Sequence, residues 1–236
     1  MSVFTYHIVK LSCFSAGKMM FFPMRAKHID GLIHAETMSI MTLGSPIYSF
    51  SRIFNRKVVV FAQWENEKAI HHFLDTNPLG RKLIKGWYVK MKFIRQWGSI
   101  SGFKIPKLEK VVENQNDAVV AVTIARMKYL EVPRFIRWGR PVEKLVRDHS
   151  GTTMSLASIR YPNTISTFSI WKTQKEMNDM VYGNSTMPNS KRHMNAMKER
   201  NRKNFHYEFT TLRFKPIAEY GVWNNKSNFI PIKNEA

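Results

Sequence analysis

Histidine is the residue type in this sequence with the clearest capacity for metal binding or proton transfer, because imidazole titrates near neutral pH. The chain has eight histidines: His7, His28, His34, His71, His72, His149, His193 and His206. His71 and His72 are adjacent, so on a helix they point to different faces and do not form a chelating pair. His193 lies in RHMNAMKER, one helical turn from Ala196 and Met197. A single histidine on such a face is more often structural or exposed than a ligand, so the residues alone leave both interpretations open.

The common catalytic signatures are missing from the sequence. It holds no Gly-x-Gly-x-x-Gly or Walker A loop, no Gly-x-Ser-x-Gly elbow and no His-Glu-x-x-His motif. Acidic pairs are scarce, so a two-carboxylate mechanism is not expected. The single cysteine, Cys13, cannot form an internal disulfide or a thiolate metal site. Its position at the end of a predicted strand favours a small apolar role over a nucleophilic one.

The strongest global feature is the net charge of +20, from 37 Lys and Arg against 17 Asp and Glu. Such a charge favours polyanions, anionic membrane surfaces or acidic ligands. The densest basic run, Lys191 to Lys203, is typical of a helix, and no zinc finger, RNP-type strand or helix-turn-helix pattern accompanies it. We therefore expect a solvated basic surface rather than a nucleic-acid site, with peripheral membrane contact as a further option.

The composition is that of a folded protein, with 44% hydrophobic and 13% aromatic residues. No apolar stretch reaches the length of a membrane span, and the N-terminal residues lack the cleavage pattern of a signal peptide. With one cysteine, a reducing cytoplasmic setting is the default expectation.

Two segments about a hundred residues apart share one pattern: an apolar strand, a tryptophan and a polar stretch with helical spacing. They are VVVFAQWENEKAI, ending at Ile70, and TISTFSIWKTQKEM, ending at Met177, and they align Trp64 with Trp171. Each half of the chain then has a βαββαβ-like order of elements. We predict an α+β fold built from tandem duplicated ferredoxin-like units, residues 1–104 and 118–236, joined by a polar linker at 105–117.

A ferredoxin-like sheet has helices on one face and leaves its other face open. Two such antiparallel sheets can pack their open faces together as one domain of the dimeric α/β-barrel type. This need explains why a duplication would help, since neither half covers its own sheet. Chance similarity between two strand–helix units is the alternative.

Local patterns predict the elements of the first half. We expect a helix from Phe21 to His34, with Pro23 in its first turn, and a strand from Met38 to Gly44 before a Gly-Ser-Pro turn. A continuous apolar strand and an amphipathic helix follow, and a second short helix is expected from Leu79 to Lys85.

In the second half, glycine, proline and capping residues mark the predicted ends of the elements more clearly. A helix from Pro133 to His149 is expected to be interrupted at Gly139-Arg140-Pro141. Thr173 and Glu176 form the capping-box pattern at the start of the next helix. The last long strand begins at Phe205 and is predicted to stop at Pro216.

The C-terminal half resembles the spheroidene monooxygenase-like proteins. In that family a Phe-x-Leu/Ile-Trp strand leads to a helix, then to a helix with histidine and many arginines, then to an aromatic-x-Glu-x-Phe strand with a later Arg-Phe. The segments FSIWKTQKEMNDMVYG and HMNAMKERNRKNFHYEFTTLRFKPIAEYGVW follow this order. The first half matches loosely, through the MTLGS turn and VVVFAQWEN. The matching positions are Phe168, Ile170, Trp171, His193, Phe205, Glu208, Phe209, Arg213, Phe214 and Trp223.

The resemblance implies a relation to dimeric α/β-barrel proteins, a group that contains haem enzymes and cofactor-free monooxygenases. It implies a haem-dependent monooxygenase acting on an apolar, carotenoid-like substrate, with an electron donor as partner. His193 becomes the candidate axial ligand of the iron, and His206 the second candidate. Arginines on strands could pair with the haem propionates or with the reacting oxygen. The candidate site residues are Arg213 and Arg160 for catalysis, and His193, His206, Arg95, Trp171 and Phe168 for the cofactor.

Two other functions remain open at this point. The chain could be a cofactor-free oxygenase or isomerase of the same barrel fold, or a non-enzymatic basic protein that binds nucleic acid or an anionic membrane. The substrate does not transfer from the family, because this chain is more basic and richer in Lys and Asn than we expect of such members. A monomer or a homodimer is expected, since the second half can supply what a dimer partner would.

Overall fold

A computed structural model describes residues 2–41, 56–105 and 114–231 of the chain. Eight strands in this part form one closed antiparallel barrel. The strands are β1 (Val3–Lys10), β2 (Leu32–Met41), β3 (Lys57–Trp64), β4 (Trp87–Ser99), β5 (Val119–Met127), β6 (Thr152–Arg160), β7 (Thr164–Trp171) and β8 (His206–Tyr220). The helices are α1 (Cys13–Phe21), α2 (Glu67–Thr76), α3 (Gly80–Leu83), α4 (Val132–Asp148), α5 (Gln174–Tyr182) and α6 (Arg192–Arg202).

The barrel order is β1-β3-β2-β6-β7-β5-β8-β4. Within it, the first half has the order β4-β1-β3-β2 and the second half the order β8-β5-β7-β6, which is the same order when each half is numbered from its own start. Two antiparallel seams join the halves, one between β2 and β6 and one between β4 and β8. The predicted α+β class and the packing of two sheets into one barrel are confirmed.

The barrel interior is filled by apolar side chains from both halves. The rings of Tyr6 and Phe168 stack with centroids 3.9 Å apart, and those of Phe4 and Phe214 lie 4.9 Å apart. Each pair joins a first-half strand to a second-half strand, so the interior is a shared core. Burial of these apolar side chains is the main favourable contribution to folding, because it removes apolar area of both sheets from water.

The outer faces of the two sheets carry the aligned tryptophans. Trp64 and Trp171 are both fully buried under helices. The indole N–H of Trp64 donates to Thr5 Oγ1 at 2.9 Å, and that of Trp171 donates to Ser169 Oγ at 2.8 Å. The repeated tryptophan therefore has one physical role in both halves, which is to anchor a helix layer while its N–H is satisfied by a hydroxyl on the strand face.

The predicted helix from Phe21 to His34 is wrong. Instead α1 ends at Phe21, and Pro23 follows it, because proline has no N–H to continue the ladder and disfavours a helical residue before it. Gly31, at φ +71°, then turns the chain into β2, which begins at Leu32. The end of the strand predicted from Met38 to Gly44, with its Gly-Ser-Pro turn and the MTLGS match, lies outside the described residues beyond Met41.

Two proline predictions of the second half are also corrected. Helix α4 continues through Pro141 for 17 residues, because its apolar side is held against the sheet and this packing outweighs one lost main-chain hydrogen bond. Strand β8 continues past Pro216 to Tyr220, and a register shift against β4 falls at this point, which accommodates a residue without an N–H. Thr173 is confirmed as the helix cap, since its Oγ1 accepts from the Glu176 N–H at 3.1 Å, and its hydroxyl donates to the Glu176 carboxylate at 2.9 Å.

One end of the barrel is closed by a charged cluster that spans the halves. Glu36, on β2, is fully buried and pairs with Arg160 of β6 at 2.6 Å and with Arg126 of β5 at 3.1 Å. His34 Nε2 lies 3.2 Å from the same carboxylate. Burial alone would raise the pKa of Glu36, but the His34 hydrogen bond and the two guanidinium groups hold that pKa below its usual value.

Close backbone approaches at glycine provide a stability test with an internal control. A Cβ at Gly86 would lie 2.1 Å from the Ile8 carbonyl oxygen, whereas a Cβ at Gly17, within α1, meets nothing within 4 Å. Gly86→Ala is expected to lower the free energy of unfolding by about 2 kcal/mol through overpacking. Gly17→Ala is expected to raise it by about 0.5–1 kcal/mol, because alanine favours the helix. Urea denaturation measures both, and equal effects would contradict this packing.

Candidate functional site

A cavity of about 440 Å³ lies between the outer face of the second-half sheet and the helices α4, α5 and α6. Its volume falls within the range of roughly 300–1,000 Å³ that is typical of small-molecule and cofactor sites. Strands β5, β6, β7 and β8 supply the floor, and Trp97 reaches in from β4 of the first half. The cavity is therefore outside the barrel, whose interior is packed.

The floor of the cavity is a row of hydroxyl side chains. They occupy alternate positions of neighbouring strands, so they all point away from the barrel interior. Thr123 and Thr211 are cross-strand partners with their hydroxyl oxygens 3.3 Å apart. The floor hydroxyls are those of Thr123, Ser155, Thr167, Ser169 and Thr211.

The roof of the cavity is mainly apolar and comes mostly from α4 and α5, with Glu143 of α4 as a charged residue in its lining. On α4, Phe135, Trp138, Val142 and Val146 recur at a spacing of three or four residues, which places them on one face of the helix. Met177 and Met180 extend this surface from α5. An apolar roof over a hydroxyl floor suits a flat ligand that is mostly apolar and carries a few polar atoms.

His193 enters the cavity from α6, and its ring orientation is fixed. Its Nδ1 lies 2.9 Å from the carbonyl oxygen of Val181, at the end of α5. Because a carbonyl only accepts, Nδ1 carries the proton and Nε2 keeps its lone pair for a ligand. Burial lowers the pKa of His193 despite this hydrogen bond, so the imidazole is neutral at physiological pH.

His206 is the second imidazole of the cavity. A register shift between β5 and β8 at this position pairs it with Met127, and the shift turns His206 toward the helices while Tyr207 is exposed. His206 is buried, and among the described residues neither ring nitrogen has a hydrogen-bond partner. Burial, followed by the charges of Arg200 and Lys128, lowers its pKa to about 4.

Cations stacked on aromatic rings mark the edges of the cavity. Arg213 and Arg95 each stack on Trp97, at 4.4 and 4.8 Å from the ring centroid. Arg200 lies 4.0 Å from the ring of Phe209. Both Arg200 and Arg213 line the cavity, so positive charge lies along its edge.

An ion-pair network holds α6 against the start of α4. Arg134 donates to Glu131, to Glu199 and to the carbonyl oxygen of Lys203, each at 2.6 Å. The arginine pairs lower the pKa of Glu199 to about 2, so this carboxylate stays charged over the whole physiological range. The helix that carries His193 is thereby tied to the helix that forms the roof.

The structure brings most of the candidate residues together. His193, His206, Trp171 and Arg213 line one cavity. Phe168 also lines the cavity from the same strand as Trp171, although its ring packs in the barrel core. Arg95 reaches the site through its stacking on Trp97. Arg160 is placed elsewhere, in the cluster around Glu36.

Sequence reasoning missed the roof of α4, the hydroxyl floor and Arg200. The spacing of Phe135, Trp138, Val142 and Val146 would have indicated one helix face, but the expected break at Pro141 concealed it. The alternation of Thr167 and Ser169 with Phe168 and Ile170 marked the outward face of β7. Nothing in the local pattern indicated that Trp97 would reach the other half.

No family model matches the chain, and no curated protein matches it, so the resemblance to spheroidene monooxygenase-like proteins stays a prediction. Solved structures are similar at low identity. A proposed monooxygenase from Lactobacillus acidophilus is 8% identical, with a TM-score of 0.38 over 93% of this chain and 96% of that one. A proposed monooxygenase from Fusobacterium nucleatum is 8% identical, with a TM-score of 0.40 over 93% of this chain and 94% of that one. A heme-degrading enzyme from Listeria monocytogenes is 14% identical, with a TM-score of 0.28 over 90% of this chain and 99% of that one.

Proposed function

We propose that this chain binds one haem in the cavity beneath α4 and acts as an oxygenase on an apolar small molecule. The observation that carries the proposal is His193, which lines the cavity and donates its Nδ1–H to the Val181 carbonyl, while among the described residues the lone pair of its Nε2 has no partner. Metal-binding histidines have this arrangement, in which a carbonyl fixes the tautomer and raises the basicity of the ligating nitrogen.

The other residues of the cavity fit a haem. A flat macrocycle suits the space between a sheet floor and a helix roof, and the apolar roof would exclude water from its face. Arg200 and Arg213 line the cavity and would pair with the two propionates. Bound haem iron would supply the oxygen chemistry, while the chain would set access, polarity and orientation.

His206 would contribute a hydrogen bond within the same cavity. Leaving a buried imidazole without a partner costs about 1–3 kcal/mol per unsatisfied group, so a ligand that accepts or donates at His206 would recover this energy. The lowered pKa keeps the ring neutral, and a neutral imidazole can both donate and accept.

The substrate class rests on the lining of the cavity and on the resemblance of the C-terminal half. The aromatic and methionine side chains of the roof favour an apolar molecule, and a carotenoid-like one is the form that the resemblance implies. An electron donor would be needed for monooxygenation. Because the described strands close the barrel within one chain, the proposal requires no second subunit. We also infer that the shared strand order arose by internal duplication, with the aligned tryptophans as its remaining trace.

A cofactor-free reaction in the same cavity is the second candidate. It is favoured by the unpartnered His206 beside a floor of hydroxyl groups, since this arrangement could hold a phenolic or enolic substrate by hydrogen bonds without iron. The two candidates differ in whether the purified protein takes up haem.

Titration of haem into the purified full chain tests the proposal. We expect a Soret band that saturates at one haem per chain. Thr123→Phe, which fills the cavity floor, should abolish stoichiometric uptake, while Thr76→Phe, at the exposed end of α2, should leave it intact. Absorption indistinguishable from haem in buffer would reject the haem function and leave the cofactor-free candidate.

A further inference from the structure

Helix α1 exposes an unusual amount of aromatic surface. Phe14 and Phe21 are 83% and 81% exposed, and Phe22, directly after the helix, is 75% exposed. Phe14 and Phe21 are seven residues apart, so they lie on one face, whereas Ala16 and Met19 face the sheet and are buried. Exposed aromatic side chains that are clustered, rather than scattered singly, mark an interaction surface.

Basic residues surround this aromatic face. Lys18 lies between Phe14 and Phe21 on the same face of α1. The Nζ atom of Lys82, on α3, lies 3.2 Å from Ser15 Oγ and brings a second basic segment against the helix. Residues 10–28 carry four Lys or Arg and residues 79–85 carry three, and neither segment contains Asp or Glu.

From this combination we propose that the α1 face, defined here as Phe14, Lys18, Phe21, Phe22 and Lys82, docks the protein on an anionic lipid bilayer. The phenylalanine rings insert at the boundary between headgroups and acyl chains, and the lysines lie among the acidic headgroups. The charge of the whole chain, +20, adds long-range attraction of the same sign. None of the described helices is both long and apolar enough to cross a bilayer.

The proposal is independent of haem binding, because α1 covers the sheet of the first half and the cavity lies against the sheet of the second half. A protein that binds no haem could still dock, and a haem protein could fail to dock. The two readouts, absorption and sedimentation, therefore separate the two proposals.

Vesicle sedimentation with the full chain tests the docking. We expect low-salt binding to phosphatidylcholine vesicles that contain phosphatidylglycerol, weaker binding at high salt, and little binding to phosphatidylcholine alone. The double substitution Phe14→Ser and Phe21→Ser should weaken partitioning about ten-fold or more. Leu130→Ser, at an equally exposed apolar residue outside the α1 face, should change it little.

A charge pair separates local docking from general attraction. Lys18→Glu and Lys172→Glu change the net charge equally, and both sites are exposed, but only the first lies in the α1 face. We expect Lys18→Glu to weaken binding more. Equal effects of the two, equal binding by the double phenylalanine variant, or no binding at low salt would overturn the proposal. So would a smaller particle size of the double variant without lipid, because a second copy of the chain would then be the occupant.

Discussion

Replacing His193 with alanine is expected to remove the Soret band of the haem-loaded protein or to weaken haem binding at least about 100-fold. Removing even the hydrogen-bond partner of a metal ligand typically costs roughly 10–100-fold in affinity, and this substitution removes the proposed ligand itself. His71→Ala, on the exposed side of α2, is the matched control and should leave the spectrum unchanged.

Chemical rescue makes this prediction specific to iron ligation. Added imidazole should restore a six- or five-coordinate spectrum in His193→Ala, because a free ring can enter the space that the side chain left. A purely structural role for His193 would show loss of haem without rescue. An unchanged spectrum in the variant would remove His193 from the axial position and transfer the test to His206→Ala.

The pH dependence follows from the lowered pKa of His193. A ligating imidazole must be neutral, and a pKa below 6.5 keeps it neutral at lower pH than an ordinary histidine. Haem retention is therefore expected to be constant between about pH 8 and pH 6.5 and to fall only in more acid solution, as followed by the Soret absorbance.

Substituting Glu36 by glutamine should give the largest loss of stability among single isosteric changes at the barrel seams. It removes the buried carboxylate by which β2 of the first half holds Arg126 and Arg160 of the second half, while Arg126 keeps its ion pair with Glu208. Breaking a buried pair costs about 3–5 kcal/mol. The arginine side chains are 23% and 29% exposed, so water compensates partly and we expect about 3 kcal/mol. Glu67→Gln, at a 46% exposed carboxylate that pairs with Lys90, should cost less than about 1 kcal/mol.

Acid should erase the difference between the parent and the Glu36→Gln variant. The pKa of Glu36 is lower in the folded protein than in the unfolded chain, so its contribution is complete above the unfolded pKa and is lost as the pH falls through the folded value. Urea denaturation at neutral pH and at a series of acid pH values extending well below about pH 4 measures this. A variant that stays equally destabilised across the whole series would show that the loss comes from packing and not from charge.

The sequence predicted the fold well where the hydrophobic periodicity and the capping and turn residues indicated the same elements. The apolar runs of β3 and β7, the capping box at Thr173 and the basic helix at Arg192–Arg202 were all recognisable, because local preferences and tertiary packing favour the same structure there. The repeated tryptophan marked a strand and helix that occur in both halves of the barrel.

Predictions failed where long-range packing decided the outcome. Pro23 ended a helix instead of starting one, while Pro141 and Pro216 lay within elements that packing holds together. The cavity was only partly predictable. The resemblance named His193 and Trp171, which line it, but Arg160 forms an ion pair with Glu36, a residue distant in sequence, and does not line the cavity. Periodicity cannot indicate which arginine finds a carboxylate across a barrel seam.

The two outer faces of the barrel differ in how completely side chains fill the space between sheet and helices. Among the residues that the structure describes, the first-half face is packed: His7 is buried there against Tyr88, and the side chains of Trp64, Phe73 and Leu83 fill the layer beneath the helices. The second-half face is open enough for a ligand. A deep mutational scan should therefore give different results for the two faces. Small-to-large changes on the second-half face would spare abundance and abolish ligand binding, whereas equivalent changes on the first-half face would lower abundance while the surviving molecules remain competent.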